Sequence, residues 1–248
     1  MDGSPVFLIA SERSGTNLLR RRLSERQSTV VGPPPLHFLK HLFYACPFYG
    51  DLNDDSVFHN FVEDSLGLAY HHFSPWDEII EADEVIEKYP DYFSGKRSAI
   101  GVMHTLYSIY AARKGYHSYI CKDNNLFDFV CEIASEIPEA RFIYLYRDPR
   151  DVVLSQKGRP TQNKSTSYLS VLWRDEQIKC IRGWRTLNDS GKIIPLSYEG
   201  LIEDEDRQIW RLCYELGLEC SDAGNVDFDF EKTDFVEWEN LSKPTMTG

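Results

Sequence analysis

A short polar loop near the start of the chain has the residue types of an anion-binding site. Residues 5–10 are an apolar run, typical of a buried strand, and a helical pattern begins at Thr16. The turn between them carries an arginine, hydroxyl side chains and a glycine that lets a ligand come close: Arg13, Ser14, Thr16 and Gly15. Backbone N–H groups and the helix dipole favour an anion at a helix N-terminus. The loop therefore predicts a phosphate site, with an ordinary structural turn as the alternative.

A second turn of this kind follows a later apolar run. Residues 141–146 predict a strand, and Pro149 suits the first turn of the helix after it. Arg147 stands at the carboxyl end of this strand, and Ser155 comes eight residues later, about two helical turns along. Open parallel sheets bind ligands at the carboxyl ends of their strands. Two such turns in one sheet predict a ligand with two separated phosphate groups.

The two turns together resemble the motifs of a known enzyme family. "RSGTNLL" at 13–19 and "YRDPRDVVLS" at 146–155 resemble the cofactor motifs of sulfotransferases that use 3′-phosphoadenosine 5′-phosphosulfate (PAPS). The resemblance implies that Arg147 and Ser155 hold the 3′-phosphate. It also implies that the 5′-phosphosulfate is held by the first loop, through Arg13, Ser14, Gly15, Thr16 and Asn17.

Two shorter segments extend this resemblance, which covers roughly residues 5–40 and 117–220. "LSYEGL" at 196–201 is similar to a family segment whose tyrosine lies beside the cofactor, which implies that Tyr198 contacts it. "LSK" at 241–243 resembles a C-terminal loop that closes on PAPS in some members, which implies a contact from Lys243.

The resemblance also implies roles for two cations. Sulfuryl transfer, like phosphoryl transfer, depends mainly on positioning and on stabilising the charge that develops on oxygen. Arg13 is then expected to neutralise the 5′-phosphate as the S–O bond breaks, and Lys122, which ends a predicted strand, to reach the transferring sulfate. A surface ion pair for Arg13 and a strand-end lysine without a function for Lys122 are the alternatives.

The general base is the point at which this chain departs from the family pattern. Many members place a glutamate or histidine about 22 residues after the loop cation, but this position is Pro35, which cannot take a proton. His37 lies two residues further on, and its ordinary pKa near 6.5 suits general-base catalysis, so we predict it as the base. Asp123 is the alternative, because Lys122-Asp123-Asn124 stands where cytosolic members have Lys-Thr-His. His41 and His104 are weaker candidates.

The hydrophobic pattern predicts an α/β fold, a three-layer sandwich whose central, mostly parallel sheet has helices on both faces and a phosphate-binding loop after the first strand. The predicted strands are residues 5–10, 117–122, 141–146 and 193–198. One predicted helix begins at residue 16, and the others span 126–137, 147–156, 165–187 and 204–216. We expect a single domain over residues 1–248. Within it, residues 41–116 are expected to form an irregular, substrate-facing insertion of short helices and loops.

Composition limits the partners. The net charge of −12 argues against a nucleic-acid partner. The six cysteines have no metal-site spacing, so no metal is expected. Neither a membrane span nor a signal peptide is evident, so we expect no membrane partner and a cytoplasmic protein. The oligomeric state is left open.

We therefore expect sulfuryl transfer from PAPS to a hydroxyl or amine of a small-molecule or carbohydrate acceptor. One alternative is a small nucleotide or metabolite kinase, although the Gly-Lys-Ser/Thr ending of a Walker loop is absent. A catalytically inert nucleotide-binding module is the other.

Overall fold

The computed structural model describes residues 3–72, 75–159 and 163–220. Its sheet has five parallel strands in the order β2-β3-β1-β4-β5, and its ten α-helices are joined by loops and two short 3₁₀ turns. The strands are β1 (Val6–Ile9), β2 (Val30–Val31), β3 (Ser118–Cys121), β4 (Arg141–Tyr146) and β5 (Ile193–Ser197). The helices are α1 (Thr16–Arg26), α2 (Leu39–Tyr49), α3 (Asp55–Tyr70), α4 (Ala82–Tyr92), α5 (Ala99–Arg113), α6 (Val130–Glu136), α7 (Pro149–Lys157), α8 (Thr166–Leu187), α9 (Tyr198–Glu203) and α10 (Glu205–Leu216).

Both faces of the sheet are buried, which is why its strands are continuous apolar runs. Successive side chains of a strand point to opposite faces, so Val6 and Leu8 pack with α1, α9 and α10, whereas Phe7 and Ile9 pack with the larger group of helices on the other face. Helices therefore cover the sheet on both sides. The predicted three-layer α/β fold is confirmed.

The strand order fixes where a ligand can bind. The central strand β1 pairs with β4 from Val6↔Arg141 to Ile9↔Tyr144, so the two strands end side by side. From β1 the chain passes to β2 at one edge of the sheet, and from β4 it passes to β5 at the other edge. Connections that leave neighbouring strands in opposite directions open a crevice between their carboxyl ends. The loops at 10–15 and 147–148 border this crevice.

Most elements outside residues 41–116 match the sequence-based prediction closely. The helix α1 begins at Thr16, and Ser165 caps α8 by accepting a hydrogen bond from the Tyr168 N–H. The helix α10 ends at Gly217, whose φ of 70° suits a residue without a side chain. The sequence analysis missed β2, because two residues give no periodicity. The helix expected over 126–137 is divided into a 3₁₀ turn at Leu126–Asp128 and α6.

Residues 41–116 are more regular than the irregular insertion of short helices and loops that the sequence analysis expects. This segment contains most of α2 and all of α3, α4 and α5, which are 11, 16, 11 and 15 residues long. Two physical reasons explain the difference. Most residues of α5 are buried, so it shows no polar face, and α2 and α4 carry Pro47 and Pro90 in their last turns, which mimic helix stops. These helices join the large core against the sheet.

Two helical glycines provide a matched test of this packing. At Gly101 in α5, an added Cβ would overlap the Tyr89 hydroxyl and lie 2.7 Å from Phe93 Cδ1, whereas at Gly67 in α3 it would meet nothing within 4 Å. We expect Gly101→Ala to lower the free energy of unfolding by roughly 1–3 kcal/mol through overpacking. Gly67→Ala should raise it by about 0.5–1 kcal/mol through helix propensity. Urea unfolding measures both, and equal stabilities for the two variants would contradict the α4–α5 packing.

Candidate functional site

The crevice at the carboxyl ends of β1 and β4 is a cavity of about 670 Å³, called here the sheet-end cavity. Its wall includes residues of the first loop and of α1 together with residues from the ends of β3, β4 and β5. Six cationic side chains line it: Arg13, Arg20, Arg21, Lys122, Arg147 and Arg159. In a chain of net charge −12, this concentration of arginine and lysine makes a local site for an anion.

The two predicted phosphate motifs touch each other. Arg13 Nε donates a hydrogen bond of 3.0 Å to Ser155 Oγ, and Arg147 Nη1 donates one of 3.0 Å to the carbonyl oxygen of Arg13. The Arg147 guanidinium also lies 4.2 Å from the centre of the Tyr198 ring. Residues from three separate segments are thus in contact at one end of the sheet.

Gly15 allows the ring of Tyr198 to lie close to the turn into α1. Its φ of 98° is a left-handed conformation that residues with side chains rarely adopt. A Cβ at this position would collide with the ring of Tyr198. Tyr198 therefore covers the loop at the N-terminus of α1, where Thr16 and Asn17 also line the sheet-end cavity.

A buried hydrogen-bond chain holds the first loop from behind. The hydroxyls of Ser11 and Ser14 lie 2.9 Å apart, and Gln177 Nε2 donates to Ser11 Oγ at 2.9 Å. The Tyr144 hydroxyl donates to Gln177 Oε1 at 2.5 Å. The Ser14 side chain belongs to this hydrogen-bond chain, is fully buried and is not part of the cavity wall. Its hydroxyl thus fixes the loop.

Lys122 and His37 meet on the opposite wall of the sheet-end cavity. Lys122 Nζ lies 3.1 Å from Asn124 Oδ1, to which it donates, and 3.5 Å from His37 Nε2. Burial lowers the pKa of Lys122 to about 8. At pH 7 the ammonium form still predominates, so Lys122 adds a positive charge to this wall.

The structure separates the two candidate bases by their exposure. The Asp123 side chain is 1% exposed, and its Oδ2 accepts a hydrogen bond of 3.0 Å from the Leu39 N–H. The His37 side chain is 17% exposed and lines the cavity. Its Nδ1 accepts from the Asn124 N–H at 3.0 Å and lies 3.4 Å from Asp123 Oδ1. Both residues line the sheet-end cavity, and the imidazole is the more exposed of the two.

The remaining predicted residues lie apart from this wall. His104 is buried against Tyr119, whose hydroxyl is 2.6 Å from His104 Nδ1, and burial lowers the pKa of His104. His41 is exposed on α2 and lines a neighbouring cavity. Lys243 lies outside the described residues.

A family model described as a sulfotransferase family matches residues 5–222. The chain belongs to the sulfotransferase family. This membership supports sulfuryl transfer as the class of reaction. No curated protein matches the chain.

Solved structures share the fold of this sulfotransferase at low sequence identity. The sulfotransferase domain of the Synechococcus PCC 7002 olefin synthase is 20% identical, with a TM-score of 0.54, over 92% of this chain and 75% of that one. The sulfotransferase domain from the curacin biosynthetic pathway is 18% identical, with a TM-score of 0.53, over 92% and 76%. A sulfotransferase from Alicyclobacillus acidocaldarius is 12% identical, with a TM-score of 0.50, over 90% and 85%.

Residues 3–72, 75–159 and 163–220 contain neither a helix suited to crossing a membrane nor a cluster of possible metal ligands. No helix there is long and apolar enough to cross a membrane. Within the same ranges, no group of three or more His, Cys, Asp or Glu side chains is arranged to hold a metal ion.

The sequence analysis missed an acidic group beside the first loop of this sulfotransferase. Glu176 in α8 lines the sheet-end cavity, and its Oε2 accepts a hydrogen bond of 3.3 Å from the Glu12 N–H. Burial raises the pKa of Glu176 to about 7. Arg159 pairs with Glu12 at 3.5 Å. No local pattern marks Glu176, because its position depends on how α8 packs across the loop.

The raised pKa of Glu176 predicts a pH-dependent stability. The folded state binds this proton more tightly than the unfolded state, so the contribution of Glu176 to stability falls as the pH rises from about 4.5 to about 7. We compare the free energy of unfolding of Glu176→Gln with that of the wild type at each pH. The difference should favour the variant by about 2–3 kcal/mol more at pH 8 than at pH 4. Urea unfolding at both pH values measures this. The exposed Glu203→Gln is the control, and a pH-independent difference for Glu176→Gln would contradict the assignment.

Proposed function

We propose that this protein transfers the sulfuryl group of PAPS to a hydroxyl or amine of a small-molecule or carbohydrate acceptor. The observation that carries the proposal is the contact between the two strand-end motifs: Arg13 with Ser155, and Arg147 with the Arg13 carbonyl. Two anion-binding turns that share one cavity suit a ligand with a phosphate at each end, as PAPS has. Family membership supports the reaction class.

The residues present fit this donor. The first loop offers Arg13, the N-terminus of α1 and a glycine position that any side chain would block. At the other motif, Nε of Arg147 is buried and has no hydrogen-bond partner within the described residues. A buried charged donor without a partner is costly, and a phosphate beside this guanidinium would stabilise it.

The proposed roles of the residues follow from their positions. When bound, PAPS supplies the sulfuryl group, whose S–O bond to the 5′-phosphate breaks as a new O–S bond forms to the acceptor oxygen. Arg13 stabilises the negative charge on the departing phosphate, and Lys122 stabilises charge on the sulfuryl oxygens. His37 Nε2 takes the acceptor proton. Tyr198 and Arg147 hold the nucleotide in place.

Asp123 acts in this proposal through His37. In the structure the Asn124 N–H donates to Nδ1, so the neutral imidazole carries its proton on Nε2 and cannot accept one there. Asp123 Oδ1 is buried, has no hydrogen-bond partner in the part of the chain that the structure describes, and lies 3.4 Å from the same Nδ1. In the proposed catalytic state His37 releases the Asn124 N–H and carries its proton on Nδ1, which donates to this carboxylate and leaves Nε2 to take the acceptor proton. Asp123 is thus a positioning residue that selects the active tautomer.

Arg147→Ala tests the second phosphate contact. Loss of a charge-assisted hydrogen bond costs about 1.5–3 kcal/mol, so the affinity for the desulfated product 3′-phosphoadenosine 5′-phosphate (PAP) should fall roughly 10- to 150-fold. Arg150→Ala is the matched control, since Arg150 lies three residues further on, in the first turn of α7, and its side chain is 85% exposed. Calorimetry measures both affinities. Equal affinities for the two variants would remove Arg147 from the site.

His37→Ala and Asp123→Asn test the base together. We expect His37→Ala to lower kcat at least about 100-fold and leave the Kd of PAP nearly unchanged. Asp123→Asn keeps an acceptor for the Leu39 N–H, and it should lower kcat and shift the acidic limb of the kcat–pH profile. His59→Ala is the control, because His59 lines neither of the two cavities. If Asp123→Asn abolishes turnover and His37→Ala retains it, Asp123 itself is the base.

A further inference from the structure

A second cavity of about 590 Å³, called here the helix-pair cavity, lies between α2 and α3. Residues 36–38 close one end of it. The other walls come from His41, Leu42, Ala45 and Tyr49 of α2, from Asp64, Gly67 and Leu68 of α3, and from His71 and His72. His37 lines both this cavity and the sheet-end cavity. The proposed base thus stands between two separate spaces.

The two cavities differ sharply in charge. Six arginine and lysine side chains line the sheet-end cavity, whereas the described residues that line the helix-pair cavity include neither type. The walls of the helix-pair cavity are mainly aliphatic and aromatic, from Leu36, Phe38, Leu42, Ala45 and Leu68. An anionic nucleotide is favoured on one side of His37 and an apolar molecule on the other.

The acidic group on the wall of the helix-pair cavity narrows the class of molecule further. Asp64 Oδ2 accepts a hydrogen bond of 2.5 Å from the Tyr49 hydroxyl, and burial together with this carboxylate raises the pKa of Tyr49 to about 12. A carboxylate, sulfate or phosphate on a ligand would meet Asp64 with no arginine or lysine among the described lining residues to offset the repulsion. A sugar would bury many of its hydroxyl groups against Leu36, Phe38, Leu42, Ala45 and Leu68, which cannot pair with them.

Resting on the proposed sulfuryl transfer, we infer that the helix-pair cavity binds the acceptor and selects a largely apolar alcohol or phenol without negative charge. Its hydroxyl reaches His37, and its apolar body lies between α2 and α3. The volume is within the range of about 300–1,000 Å³ of small-molecule sites. In the transfer the acceptor O–H bond breaks, its proton goes to His37 Nε2, and its oxygen bonds to the sulfuryl sulfur.

Gly67 allows the cavity to be filled without disturbing the fold. A Cβ at this position meets nothing within 4 Å, so Gly67→Phe places a ring in the space between α2 and α3. Asn60→Phe is the matched control, because Asn60 is exposed on the same helix and does not line the cavity. Both variants should bind PAP as the wild type does.

The test compares three acceptors that differ in charge and polarity: 2-naphthol, 6-hydroxy-2-naphthoate and N-acetylglucosamine. With PAPS as donor, kcat/KM for 2-naphthol should exceed that for either of the others at least about 100-fold. Gly67→Phe should lower the value for 2-naphthol at least about 10-fold, and Asn60→Phe should leave it unchanged. Saturation-transfer NMR of 2-naphthol on the PAP complex should show binding that Gly67→Phe weakens.

The outcomes separate the two proposals. If PAP binds and transfer occurs, but the carboxylate or the sugar is preferred or Gly67→Phe behaves like Asn60→Phe, the inference is overturned and the proposed function stands. Absence of 2-naphthol binding to the PAP complex also overturns the inference. If PAP itself does not bind, the proposed function fails and the inference fails with it.

Discussion

The direct contact between the loops that follow β1 and β4 is the constraint on which the site depends. Parallel pairing of these strands brings the Arg147 guanidinium to the Arg13 carbonyl, so the positive side chains of both arginines line one cavity and repel each other. Hydrogen bonds to Ser155 and to a backbone carbonyl, and the face of the Tyr198 ring, stabilise this arrangement. The remaining repulsion favours an anion between the loops.

Buried polar groups hold both walls of the sheet-end cavity in position. Behind the first loop, hydrogen bonds link Tyr144, Gln177, Ser11 and Ser14. On the other wall, Asp123 ties residues 37–39 to the end of β3, through the Leu39 N–H and through its approach to His37. Such groups fix their neighbours because an unpaired buried donor or acceptor is costly. The groups that line the cavity are therefore held in position before any ligand binds.

The sequence predicted what local patterns determine. The strands and the turns that carry Arg13 and Arg147 follow from apolar runs, glycine and proline placement, and family motifs. Features that depend on distant packing could not be predicted in this way. The helix α5 is buried on nearly all sides and shows no periodicity, and Glu176 reaches the first loop only because α8 crosses it. Ser14 matched a motif, yet only the structure shows its hydroxyl turned into the interior. The helix-pair cavity has no counterpart in any motif.

A crystal structure with PAP would test most directly the claim that one doubly phosphorylated nucleotide spans both loops. The account predicts the 5′-phosphate at residues 13–17, at the N-terminus of α1, and the 3′-phosphate beside Arg147 and Ser155, with His37 facing the 5′ end. A nucleotide that contacts only one of these loops, or that binds elsewhere on the protein, would contradict it.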